Sequence, residues 1–235
     1  MDDLPAPVVT FLNVIGAKWP YIDEDSVGRF AALVRGFSRA IEAAHGDATA
    51  AVHGIAQAYE SSSTEKMLSG WAQLSARHVA ELIEAGHGLA DALDAAATYV
   101  AAQKAAAIVE LTAMAAAFAA DQAAAVATLG LAEAAGLAVV GTARALTESL
   151  AQDLEQYIVG EVVESSAKPL FEKVDEAVVG LDWSQQASSA VPQTASRLTL
   201  DAQALRRHTA ALREHARTIR LHAATFQQGL QELSF

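Results

Sequence analysis

The chain has no cysteine among its 235 residues. Disulfides, thiolate chemistry and cysteine-ligated zinc are therefore excluded. Aromatic residues are scarce, at 6%. Proline occurs only five times. Basic residues number 16 against 28 acidic ones, a formal net charge of −12. That deficit argues against nucleic acid as a principal ligand, because phosphate binding needs clustered lysine and arginine. Long uncharged apolar runs are missing too. The most apolar stretch, 105–145, is interrupted by Glu110, Asp121, Glu133 and Arg144. It holds no uncharged run of the ~18 residues that a spanning helix needs. The opening Met1-Asp2-Asp3-Leu4-Pro5 is acidic, unlike the positive start of a general secretory signal. No such signal is expected.

What the chain has in quantity is alanine. Alanine is the strongest helix former and loses no side-chain rotamer freedom on ordering. It also buries little area, so an alanine-based core needs long helices packed closely over a long distance. No stretch alternates with period two for long. The expected fold is all-α: an elongated bundle of long antiparallel helices with a C-terminal coiled-coil-like helix.

Along the chain, residues 4–17 read as a short apolar helix closed by Gly16, and Trp19-Pro20 forces a turn. Asp23-Glu24-Asp25 places carboxylates at the positive end of the next helix, expected to run to about Tyr59. Phe30, Val34, Phe37 and Ile41 form its buried stripe. Ser62 with Glu65 fits a capping box for the following helix. Nothing then stops that helix before about Gly130, a span of roughly 95 Å at 1.5 Å per residue. It must be elongated or broken once. Glu110, Asp121, Glu133 and Arg144 recur at near-eleven intervals, which align on one face of an undistorted helix. A break near Gly130 would make an alanine-faced antiparallel hairpin. A further helix is expected over 131–165, ended by Pro169, with a short one over 170–179.

Gly180 and the serines of 184–197 make the best linker in the sequence. Leu198, Leu205, Leu212, Ile219, Phe226 and Leu233 then recur every seven residues as a coiled-coil seam, best expressed at Leu205, Leu212, Ile219 and Phe226. The seam needs a partner surface, on this chain or on a second copy in a homo-oligomer. Charge divides at the linker: residues 1–183 carry about −15 and 184–235 about +3, all six basic residues of the latter being arginine. The tail would attract the rest of the chain or an acidic partner. His208, His215 and His222 are also seven apart. Successive rings lie about 10.5 Å apart along the axis, too far to share one metal. Buried at the seam, they would loosen it when protonated; flanking it, they would stay solvated.

Catalytic signatures are lacking. There is no glycine-rich phosphate loop, no H-E-x-x-H and no G-x-S-x-G elbow. Glu81/Glu84 and Asp91/Asp94 read as solvated helix faces. No enzyme activity, cofactor or metal is expected.

The order of features resembles a known family. Leu4-Pro5-x-Pro7 and Trp19-Pro20-x-x-Asp23-Glu24-Asp25 open the chain, and Ser69-Gly70-Trp71 follows. Then come His78-x-x-Glu81-Leu82, Leu89-Ala90-Asp91-Ala92-Leu93 and Ala102-Gln103-Lys104. Gly130-Leu131-Ala132-Glu133-Ala134, Thr142-Ala143-Arg144 and Gly180-Leu181-Asp182-Trp183 complete the set. Together these resemble the N-terminal helical domain of actinobacterial type VII-secreted polymorphic toxins and channel-toxins, relatives of the Trp-x-Gly helical hairpins. The strict tripeptide is absent, since Gly70 precedes Trp71, and only about 50 residues follow the resemblance where the family carries its toxic part.

The resemblance implies a targeting domain over 1–183; composition and periodicity add a linker over 184–197 and a heptad-patterned arm over 198–235. It implies secretion or surface display through a type VII system, a small helical-hairpin partner and the export machinery itself. Gly70 and Trp71 become candidate partner-binding residues, with Trp19, Pro20 and Asp23 as structural motif residues. Type VII substrates carry a Tyr-x-x-x-Asp/Glu signal near a helix end. Tyr21/Asp25 and Tyr157/Glu161 both fit, and Tyr157 with Glu161 is better placed. The expected function is non-enzymatic targeting and partner binding. The alternatives are a membrane-active, pore-forming helical protein and a cytoplasmic coiled-coil scaffold.

Overall fold

A computed structural model describes residues 4–127, 133–180 and 201–233, excepting the side chains of 76–77, 125–127, 133–135 and 177–180. The protein is all-α, with no β-strand among the described residues. The helices are α1 (Ala6–Ile15), α2 (Glu24–Ala58), α3 (Ser62–Gln73), α4 (Ala80–Ala127), α5 (Glu133–Tyr157), α6 (Lys168–Gly180) and α7 (Ala202–Gln231). Two π-helical segments, Leu74–Val79 and Ile158–Ala167, join α3 to α4 and α5 to α6. The break expected near Gly130 and the linker of 184–197 lie outside the described residues.

The chain forms two compact units. The first comprises residues up to Gly28 together with Leu93–Val163. Its core is built by α1, α4 and α5. Val8, Phe11, Leu12 and Ile15 are buried on α1 at the i, i+3, i+4, i+7 spacing that puts one stripe on one face. They join Val100, Ala107, Leu111 and Ala115 of α4 and Ala143, Leu150 and Leu154 of α5. Phe11 meets Phe118 with ring centroids 5.3 Å apart. Tyr99 stacks on Tyr157 at 4.0 Å and 10°, which makes α4 and α5 the antiparallel pair that the alanine pattern anticipates. Each fully buried Leu or Phe here contributes about 1.5–3 kcal/mol.

Gly16 closes α1 at φ 67°, left-handed backbone that favours glycine. The Ala17 N–H returns to the Leu12 carbonyl at 3.1 Å. Arg144, one of the four regularly spaced charges, serves the end of α1. Its Nε donates to the Ile15 carbonyl at 3.0 Å, and its Nη2 donates there too. A cation at a helix C-terminus satisfies a carbonyl without an intrahelical partner and matches the dipole. Lys104 does similar work at the next turn, donating to the Ile22 carbonyl and pairing with Glu24.

The second unit comprises Arg29–Ala92 together with the described residues from Glu164 to Leu233. Here α2 buries Ala31, Val34, Ala44, Ala48, Ala51, Val52, Ile55 and Ala58. Arg35 pairs with Asp91 at 2.7 Å.

Three expectations need correction. The capping box of α3 sits one residue earlier than the Ser62/Glu65 reading. Ser61 Oγ accepts from the Thr64 N–H at 3.2 Å, and the Ser61 N–H donates to Thr64 Oγ1 at 3.0 Å. A threonine at the third position supplies the same reciprocal bond as a glutamate. Pro169 does not end a helix either. It is the second residue of α6, directly after the π-helical segment. The helical run passes through it, and the π-helical turns before it already depart from the i→i−4 ladder that a proline breaks. Finally, the long run from Ser62 is not one α-helix, because its turn widens at Leu74–Val79.

Candidate partner-binding surfaces

Trp71 anchors the most elaborate polar contact of the second unit. Its Nε1 donates to Thr49 Oγ1 at 3.0 Å. Its indole lies on the His45 ring, with centroids 5.3 Å apart and planes at 17°. Thr49 Oγ1 in turn donates to the His45 carbonyl at 2.8 Å. His45 Nε2 and Ser75 Oγ are 2.5 Å apart. Burial lowers the His45 pKa below its ordinary value, so the ring is neutral at neutral pH. The bond to Ser75 is made where the helix widens. Gly70, half-buried, immediately precedes Trp71. The structure thus brings Gly70 and Trp71 to a clasp between α3 and α2.

Beside the clasp is an open groove of about 720 Å³, lined by His45, Ser75 and Ile83 with Glu42, Glu84 and His87. The Ser75–His45 pair has two members of a hydrolytic constellation. Among the described residues no carboxylate is bonded to His45, and no backbone oxyanion site faces Ser75, which lies within a helix. Nor do three His, Asp or Glu side chains come together to hold a metal ion among those residues.

The structural motif residues fall in the first unit. Trp19 is 8% exposed and belongs to its core. Pro20 is half-buried beside it. Asp23 opens α2: its Oδ1 accepts from the Asp25 N–H at 3.1 Å and its Oδ2 from the Ser26 hydroxyl at 2.5 Å. These residues shape the turn from α1 to α2.

Tyr157 and Glu161 straddle the junction between α5 and the π-helical segment. The Tyr157 ring is half-buried against Tyr99, whereas Glu161 is exposed. In the competing match, Tyr21 is 68% exposed.

The heptad seam of α7 finds its partner on this chain, in α2. Phe226 stacks on Phe37 at 5.0 Å and 30°. Leu33 packs against Gly229, and the His208 ring occupies a notch left by Gly54. The Asp201 N–H donates to the Ala58 carbonyl at 2.8 Å, fixing an antiparallel register. Asp201 caps α7, and its bonds to the Ala204 and Gln203 N–H groups hold its carboxyl below the usual range. Leu205, Leu212 and Phe226 are half-buried, while Ile219 remains 36% exposed. His208, His215 and His222 are also half-buried, each three residues after a seam position and thus on the same face.

Sequence reasoning missed His45, Thr49 and Ser75. They carry no local signal, since their pairing depends on how α2 and α3 meet. It also missed Arg144 and Lys104 as cap donors. The regular spacing of Arg144 with the acids concealed that role.

A family model for the WXG100-like domain matches residues 2–146. The chain belongs to this family of helical proteins, which is related to type VII secretion and to helical-hairpin partners. No curated protein matches the chain, and no solved structure does.

Proposed function

We propose that this chain is a non-enzymatic targeting and partner-binding module of a type VII secreted effector, of the kind found before actinobacterial polymorphic toxins. Residues 1–183 are the targeting domain, 184–197 the linker and 198–235 the arm. The protein is exported to the medium or cell surface. Family membership over 2–146 carries this reading. The α4–α5 hairpin supports it, because outward-facing Val109 and Leu137 remain exposed for a helical-hairpin partner. Gly70 and Trp71 shape a separate partner-binding surface within the second unit. Tyr157 and Glu161 form the export signal, in which Glu161 supplies the exposed carboxylate.

Export is tested by measuring tagged protein in medium and cells of the native host, with and without the type VII translocation ATPase. Loss from the medium without the ATPase is expected; no difference removes the proposal. Tyr157→Ala alone would confound signal and packing, because the ring stacks on Tyr99. Tyr157→Phe retains the stack, and Glu161→Gln leaves it untouched. Reduced export of Glu161→Gln with a normally folded chain is the expected result. Normal export of both Glu161→Gln and Tyr157→Ala sinks the role given to this pair.

One observation favours a second reading, a membrane-active protein. Helix α4 is long and apolar enough to cross a bilayer, with a stretch of mean hydropathy 1.3 of which 22% is buried. Glu110 and Asp121 oppose insertion, since a charge at the bilayer centre costs about 2.5–3.5 kcal/mol. Dye release from liposomes discriminates. The first reading expects intact vesicles, and leakage at low protein concentration would favour the second.

A further inference from the structure

The seam explains one face of α7, and an outward face carries a different pattern. At 3.6 residues per turn, Arg206, Arg213, Arg217 and Arg220 fall within an arc of about 60°, centred about 120° round the helix from the seam. All four are exposed. Arg217 pairs with Glu214 at the margin of the arc, at 3.3 Å. Among the described residues, Arg206, Arg213 and Arg220 form no ion pair. They are seven residues apart, so they make a straight row about 21 Å long. Ala224, exposed, lies in the same arc, and Ala210, also exposed, lies about 20° beyond its edge. The row is a bare cationic stripe on a protein of net charge −12.

We propose that this stripe is a docking face for an acidic α-helix of a partner protein, one bearing carboxylates at seven-residue spacing. Charge complementarity carries the assignment, and three details narrow it. The period is that of two helices lying side by side, where flanking charges meet once per heptad. The small residues between the arginines let a second backbone approach. Every cation is arginine, whose planar fork grips a carboxylate bidentately, and not lysine. A bilayer fits less well, because a single bulky apolar residue, Leu221, flanks the arc and none lies within it. A long polyanion fits less well too, because it carries charge well beyond the ~21 Å of the row and is repelled by the charge of about −15 on residues 1–183 over more of its length than a short acidic helix is. The surface is distinct from Tyr157, Glu161 and the α4–α5 hairpin, so it stands or falls independently of the export signal.

The test uses the full chain and a labelled, end-blocked helical peptide of alanine and glutamine with glutamates seven residues apart. The control peptide has glutamine at those positions. Binding of the glutamate peptide is expected, weakening about tenfold or more between 50 and 500 mM salt. The triple variant Arg206→Gln/Arg213→Gln/Arg220→Gln should abolish it. Arg207→Gln, about 100° round the helix, should leave it unchanged. Arg213→Gln alone, with helicity checked by circular dichroism, gives a partial loss should the triple variant misfold. Equal binding of the two peptides overturns the proposal. So does an equal loss with Arg207→Gln, or tighter capture of phosphatidylglycerol vesicles or duplex DNA than of the peptide at the same salt.

Discussion

Single side chains settle how several helix ends are finished. Arg144 and Lys104 each deliver a cation to a backbone carbonyl at a turn flanking α1 or α2. Ser61 and Thr64 close the start of α3. His45 is the residue whose burial has a consequence for pH. Its pKa is lowered from 6.5 by desolvation. Well above 6.5 the ring is neutral in both the folded and unfolded chains. As pH falls below that value, the unfolded chain takes up a proton that the folded chain refuses. Stability therefore declines from about pH 6.5 toward the lowered pKa. The melting temperature should be lower at pH 5.5 than at pH 7.5, and His45→Gln should lessen that difference. An identical drop in the wild type and the variant would refute the assignment to His45. None of this was legible in the sequence, where His45 is one of seven histidines without a local partner.

At the scale of helices, periodicity told most of the story. The short apolar helix α1, the carboxylates opening α2 and the heptads of α7 all read directly from the sequence. Local spacing could not say where a helix would widen. The segments Leu74–Val79 and Ile158–Ala167 hold no proline themselves; in the first, Ser75 lies within bonding distance of His45 on α2. Nor could it choose the partner of the α7 seam, which depends on where α2 leaves room. Gly54 makes that room. A Cβ there would fall inside van der Waals contact with three atoms of the His208 ring. Gly54→Ala should displace the ring, and because the half-buried imidazole can swing aside, the net change in global stability should stay within about 1 kcal/mol, the scale of alanine's gain in helix propensity. Amide exchange across the first turns of α7 should accelerate. Gly36→Ala is the control, because a Cβ at Gly36 meets nothing within 4 Å. It should stabilise α2 by up to about 1 kcal/mol. Unchanged exchange in α7 for Gly54→Ala would show that the notch does not hold the helix in place.

For the whole chain, composition was a sound guide to class. Abundant alanine, few aromatics and no period-two pattern led to an all-α protein, and the ordered motifs from Leu4 onward led to a WXG100-like domain matching residues 2–146. Composition was silent on the division into two compact units, because the dividing points fall inside α2, α4 and a π-helical segment, where the sequence has no punctuation. The candidate site was legible only in outline. Trp71 stood out as a large aromatic among small residues, but its hydrogen bond to Thr49 and its stack on His45 come from another helix.

The placement of the tryptophans has an optical consequence. Trp19 lies in the core of the first unit, and Trp71 lies on an imidazole in the second. Trp183, the remaining one of three, lies outside the described residues. Two single-tryptophan variants, each with Trp183 replaced, thus give every unit its own intrinsic fluorophore. Their emission on heating reads the two units in separate channels and shows whether they melt together or in turn.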